Sequence, residues 1–158
     1  MHVRVYQDAD APELVELYSA SVRSIGPKDY STEQVEAWLS LAPSVEAMRA
    51  RCRDGRTVLL AVGDNGRPLA FGDIEADGHI GYFYCAPEHA GSGTALEVYG
   101  ALERHARGSG LARMYVEASE AARRFFLRRG FAVIERRDFQ INSVLIHNFS
   151  MEKDLVEV

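Results

Sequence analysis

The sequence predicts an α+β fold, in which a mixed sheet carries helices in layers. Three observations predict it. Residues Thr57 to Ala86 hold three β-rich runs separated by turn signals, the pattern of an antiparallel meander. Capped segments with helical spacing of apolar residues come before them, near Asp10–Val22 and Ser31–Leu39. A strand–helix–strand succession then runs from His79 to Ala118, which predicts a parallel pair joined by a right-handed crossover.

The elements follow in order. His2 to Tyr6 alternates weakly and predicts the first strand. Asp10-Ala-Pro-Glu13 has capping-box spacing, and Leu14, Leu17, Tyr18, Ser21 and Val22 then recur at helical intervals. Ser31-Thr-Glu-Gln34 is a second capping box, opening a short helix with Val35, Trp38 and Leu39 on one side. Ser44, after Pro43, opens a third short helix. Strands are predicted at Thr57–Val62, Leu69–Glu75 and His79–Ala86, with turns at Gly63–Gly66 and Asp77-Gly78. Thr94 to Arg107 carries an apolar stripe of Ala95, Val98, Tyr99, Leu102 and Ala106 and stops at Gly108 and Gly110. Arg113–Ala118 predicts a strand, and Ser119 caps a helix through Arg129 that Gly130 closes. Phe131–Glu135 and Val144–Met151 are the last strands.

With 158 residues, 47% hydrophobic and 26% charged, the chain has the size and balance of one globular domain, residues 1–158. Its formal net charge of −5 argues against a nucleic-acid partner, which would need a basic face. Two cysteines, Cys52 and Cys85, are too few for a disulfide framework and predict free thiols in a reducing compartment. The N-terminus lacks an apolar signal core, and no run reaches the ~18 apolar residues of a membrane span. A cytoplasmic location without membrane association is expected. His2, His79, His89 and His105 lack metal-ligand spacing, so no metal is assigned.

The segment from Tyr84 to Leu96 carries the functional signal. A strand ends at Pro87, a glycine-containing loop follows, and a helix begins near Gly93. Glycines let successive amides face one concavity, and a helix start adds unpaired N–H groups with a positive dipole end. A nucleoside-triphosphate loop would end in Gly-Lys-Ser/Thr, but Gly93 is followed by Thr94. A dinucleotide fingerprint would need a third glycine where Leu96 stands.

Here the chain resembles the GNAT superfamily of N-acetyltransferases, whose coenzyme A pyrophosphate loop reads Arg/Gln-x-x-Gly-x-Gly/Ala. The aligned stretch is Ala90-Gly91-Ser92-Gly93-Thr94-Ala95; Gly93 and Ala95 match, and Ala90 departs from the pattern. Tyr82–Pro87 resembles the strand before the loop. Ala122–Phe131 resembles the family's fourth helix and the Gly-Phe after it, and Met151–Leu155 its last strand. Asp29-Tyr-Ser31, Gln34 and Trp38 resemble the N-terminal helices of a bacterial branch.

The resemblance implies a central, mixed, mostly antiparallel sheet of about six or seven strands, splayed in the middle and flanked by about four helices. It implies an acyl-CoA-dependent N-acyltransferase, acetyl-CoA first, that transfers directly to a small-molecule or peptide amine. The alternative is an inactive acyl-CoA-binding or regulatory module of the same fold. The backbone of Phe83, Tyr84 and Cys85 would pair with the pantetheine arm, and a backbone N–H near Tyr84 or Cys85 would serve as oxyanion hole. Ala90, Gly91, Ser92, Gly93, Thr94 and Ala95 would hold the pyrophosphate. Ser119 would face the pantetheine and Phe126 would line the groove. Relatives draw an acid tyrosine from the fourth helix; the position is Phe126, so Tyr84 or a water takes that role. Glu75 is the first choice of base, with Asp73, Glu117 and His147 as further candidates. The family also allows a homodimer.

Overall fold

The computed structural model of the chain describes residues 1–156. Seven strands form one sheet: β1 (His2–Val5), β2 (Thr57–Val62), β3 (Pro68–Ile74), β4 (His79–Cys85), β5 (Arg113–Ala118), β6 (Ala132–Ile141) and β7 (Val144–Asp154). Their order is β1-β2-β3-β4-β5-β7-β6. Every neighbouring pair is antiparallel except β4 and β5, which run parallel. The α-helices are α1 (Ala11–Ile25), α2 (Thr32–Leu39), α3 (Val45–Cys52), α4 (Thr94–Gly108) and α5 (Glu120–Arg128). The sheet is therefore the mixed, open α+β design expected. The described helices number one more than the four implied, because the Ser44-capped turn persists as α3.

Two apolar layers hold the helices to the sheet. On one face Val98, Tyr99 and Leu102 of α4 and Phe126 of α5 pack on Ile80, Met114, Val116 and Met151. On the other face Leu14 and Leu17 of α1 and Met48 of α3 cover Val58, Leu60 and Phe71. Tyr18 and Val22 of α1 also meet Val35 of α2 beside Ile141 and Ile146.

Two local expectations are corrected. Asp10 does not pair with Glu13 in a capping box. Its carboxylate turns back to accept the Gln7 N–H at 2.8 Å and both terminal nitrogens of Arg4 at 2.8 Å. A charge-assisted bidentate pair outweighs a neutral cap. The sixth strand also runs past Glu135 to Ile141. It turns at Asn142 (φ 50) and Ser143 (φ 67) into β7, a two-residue hairpin turn with both residues in the left-handed region. The charges Arg136, Arg137 and Asp138 mask the alternation that would have announced this strand.

The sheet's two edges differ. β1 has four residues. β6 has ten, and near its start Val133 and Ile134 are 40% and 55% exposed.

Candidate active site

β4 and β5 pair only at His79↔Tyr115 and Ile80↔Val116; beyond these positions they part. The cause is a bulge. Gly72 faces Phe83 and Ile74 faces Ile80, so Gly81 and Tyr82 together stand opposite Asp73. Asp73 is 1% exposed. It accepts the Tyr82 N–H at 3.3 Å and hydrogen bonds from Arg51 (3.2 and 3.3 Å) and Arg56 (3.0 Å). A Cβ at residue 81 would press on the Arg51 guanidinium and the buried Asp73 carboxylate, so glycine leaves this cluster undisturbed.

The register also decides which backbone groups face the splay. Ala86 N–H donates to Leu69 C=O at 2.8 Å. In an antiparallel ladder this alternation directs the N–H and C=O of Tyr84 to its partner Phe71. Those of Phe83 and Cys85 point the other way, toward β5. The sequence expectation of three consecutive free residues is thus corrected: Tyr84's main chain is spent on β3.

The loop after β4 suits a diphosphate. Pro87–His89 forms one 3₁₀ turn, and Gly91 (φ +77) and Gly93 (φ +89) take left-handed conformations with open space where a Cβ would project. Among the described residues, the N–H groups of Gly91, Gly93, Thr94 and Leu96 have no hydrogen-bond partner, while Ser92 N–H donates to His89 C=O at 3.2 Å. Free amides next to the start of the 15-residue α4 are the kind of donors that could hold an anion. Ser92 Oγ donates to His89 C=O at 2.6 Å and touches Thr94 Oγ1 at 2.8 Å, so its hydroxyl braces the loop.

A cleft of about 420 Å³ begins at the splay and continues between the sheet and α1 and α2. Its splay end is lined by Phe83, Ala118, Ser119, Ala122 and Phe126. The far end is an aromatic chamber with Tyr18, Tyr30, Trp38, Tyr82, Tyr84 and Phe139 in its walls. The Arg51 guanidinium lies 3.7 Å over the Tyr82 ring from behind. Tyr30 ties the chamber together: its hydroxyl donates to His147 C=O and accepts the Glu120 N–H, each at 3.0 Å. His147 faces the cleft with Nε2 held 3.0 Å from Glu120.

Glu117 brings a carboxylate into this cleft from β5. His79 sits between Glu75 and Glu117, with Nδ1 2.8 Å from one and Nε2 2.9 Å from the other. The hydrogen bond to Glu117, then that to Glu75, keeps the imidazole protonated up to about 9. In return His79 holds the Glu117 carboxyl below the usual carboxylate range. Burial lifts the Tyr84 phenol well above its ordinary value, so it stays protonated.

Of the residues expected from sequence, Phe83, Tyr84, Ser119 and Phe126 border the cleft, and Ala90 to Ala95 form the loop beyond β4. Ser119 also caps α5, accepting the Ala122 N–H at 3.3 Å. Cys85 reaches the splay only by its backbone. Glu75 lies outside the cleft, at the far side of His79, and Asp73 is enclosed by arginines. The sequence reading assigned no role to Tyr18, Tyr82, Arg137, Phe139 or Asn148, which converge here from four different elements.

The model of the acetyltransferase (GNAT) domain matches residues 27–154. No curated protein matches the sequence. A GCN5-related N-acetyltransferase from Rhodopseudomonas palustris is 32% identical, with a TM-score of 0.89 over 98% of this chain and 95% of that one. PaiA N-acetyltransferase from Thermoplasma acidophilum, solved in complex with coenzyme A, is 19% identical (TM-score 0.74, over 98% and 99%). YncA from Salmonella typhimurium, solved with its cofactor acetyl-CoA, is 20% identical (TM-score 0.75, over 100% and 95%). The last two share the fold. Family model, strand order and parted central strands agree: this chain belongs to the GNAT acetyltransferase family.

Proposed function

We propose that the chain is an acyl-CoA-dependent N-acyltransferase that moves a short acyl group, acetyl first, directly onto an amine. The observation that carries this reading is one continuous cleft joining the unpaired edge of β4 to an aromatic chamber with a single carboxylate. Of the loop from Ala90 to Ala95, the free amides of Gly91, Gly93 and Thr94 hold the pyrophosphate, the Ala90 N–H being given to Pro87 C=O and that of Ser92 to His89 C=O. The outward N–H and C=O groups of Phe83 and Cys85 pair with the pantetheine arm, as an added strand would. One of those N–H groups stabilises the oxyanion of the tetrahedral intermediate.

Glu117 faces the amine. It attracts the ammonium form and, directly or through water, takes the proton released on attack. The amine nitrogen bonds to the thioester carbon, the C–S bond breaks, and the departing thiolate takes the proton of the Tyr84 phenol, which is restored at once by the second proton leaving the amine nitrogen. Glu75 acts at one remove, by fixing His79 against Glu117, and so takes a positioning role in place of the base role expected from sequence. Phe126 adds an apolar wall and no proton.

The test mixes the pure protein with acetyl-CoA and a panel of amines and follows free thiol. Glu117→Gln should lower kcat/KM about a hundredfold while leaving coenzyme A affinity intact. The inactive-module reading draws support from Phe126, fully buried where relatives keep an acid. It predicts thermal stabilisation by coenzyme A with no thiol release from any amine.

A further inference from the structure

The acceptor end of the cleft holds two opposite charges that do not meet. Among its described lining residues Glu117 is the one carboxylate, and Arg137 the one lysine or arginine. Glu117 pairs with Ser150 on one side of β7, and Arg137 with Asn148 on the other. Two strand spacings across and two residues along put their Cα atoms about 12 Å apart. No ion pair links them within 4.0 Å, although Arg137 lies close enough to help depress the Glu117 carboxyl.

Other arginines around the site are consumed. Arg51 and Arg56 serve Asp73, Arg123 serves Glu120, and Arg124 serves Asp29. Arg137, half-buried, has no carboxylate partner among the described residues; one terminal nitrogen donates to Asn148 Oδ1 at 3.1 Å, which orients the guanidinium. The guanidinium also lies 5.5 Å over the Phe139 ring, and with only these neutral partners beside an apolar chamber it would be completed by an anion. A simple amine would satisfy Glu117 and leave Arg137 unmatched. A polyamine would meet Arg137's repulsion. A zwitterion with an apolar body satisfies both charges and fills the space between Tyr18, Trp38, Phe139 and Ile146.

We propose that the acceptor is a free α-amino acid with an aromatic or branched apolar side chain, its ammonium at Glu117 and its carboxylate on the Arg137 guanidinium. This rests on the acyltransferase reading. Amino acid and acyl-CoA give N-acyl amino acid and free coenzyme A: the N–C(acyl) bond forms and C–S breaks. Two protons leave the nitrogen: one passes through Glu117 to solvent before attack, and the other, released from the tetrahedral intermediate, balances the proton gained by the thiolate.

The experiment uses L-phenylalanine, L-phenylalaninamide and phenethylamine with acetyl-CoA, reading thiol release. Thermal shifts of the coenzyme A-saturated protein with each compound give a second readout. L-phenylalanine should exceed both carboxylate-free amines at least about tenfold in kcat/KM, and it alone should raise the melting temperature. Arg137→Gln should bring that preference ratio close to one, and Arg137→Lys should restore part of it. Equal or better turnover of the amide or of phenethylamine, or an undiminished ratio in Arg137→Gln, would overturn the acceptor assignment and leave the transferase reading standing. Stabilisation by L-phenylalanine alone, without thiol release, would support the acceptor site and sink transfer. No thiol release and no thermal shift with coenzyme A or any acceptor would sink both.

Discussion

The two ends of the cleft are built from different material. The end proposed to take the coenzyme is backbone: the amides of Gly91, Gly93 and Thr94, and the outward edge of Phe83 and Cys85. The end proposed to take the acceptor is side chains, with Tyr18 from α1, Trp38 from α2, Tyr82 from β4, Glu117 from β5, Arg137 from β6 and Asn148 from β7. A backbone site survives changes of side chain while its dihedral angles hold. A site of converging side chains changes character with each substitution. One fold can therefore keep its donor and exchange its acceptor.

The largest effect that could break this contrast lies in the loop. Gly93→Glu should weaken coenzyme A binding by about a hundredfold or more in calorimetry, because φ of +89 strains any L side chain and the new charge opposes a diphosphate. An unaltered Kd would show that the loop amides do not hold the pyrophosphate. Asp73→Ala comes next. It leaves Arg51 and Arg56 facing each other beneath the bulge, and urea unfolding should report a loss of about 3 kcal/mol. A loss under about 1 kcal/mol would mean that water already shares the cluster.

Tyr84→Phe sharpens the comparison further, since that residue's ring faces the chamber while its main chain belongs to β3. Turnover should fall about tenfold with coenzyme A affinity retained. Equal turnover in the variant would remove the phenol from the chemistry. The smallest effect is electrostatic. His79 is raised from 6.5 to about 9, so its contribution to stability is complete below pH 6.5 and disappears as pH climbs through about 9. Glu117 is lowered from 4.5, so its contribution is complete above that value and is lost as pH drops through its folded value. The stability gap between wild type and His79→Gln should be greatest between about pH 4.5 and 6.5, at about 1 kcal/mol for a pair in partial contact with water. A gap that widens from pH 7 to 9 in thermal melts would contradict the clamp.

The same contrast explains what could be read from the chain alone. The strand runs up to β5, caps at Ser31, Ser44 and Ser119, and the glycine loop are local signals, and each stands where sequence predicts it. The chamber is not local. Tyr18 and Phe139 look like ordinary core residues until α1 and β6 are brought to one place. The backbone directions on β4 depend on its register against β3, which the bulge opposite Asp73 fixes and no nearby residue reveals. Glu75 and Glu117 look equivalent as strand carboxylates. Only the insertion of His79 between them puts one behind and the other in front.

The unequal margins of the sheet have a consequence for the protein's life in a crowded solution. The four-residue margin is too short to recruit a foreign strand, but the ten-residue one offers a ladder with greasy side chains near its beginning. What guards it is the run Glu135, Arg136 and Asp138, exposed charges that any docking strand would have to dehydrate.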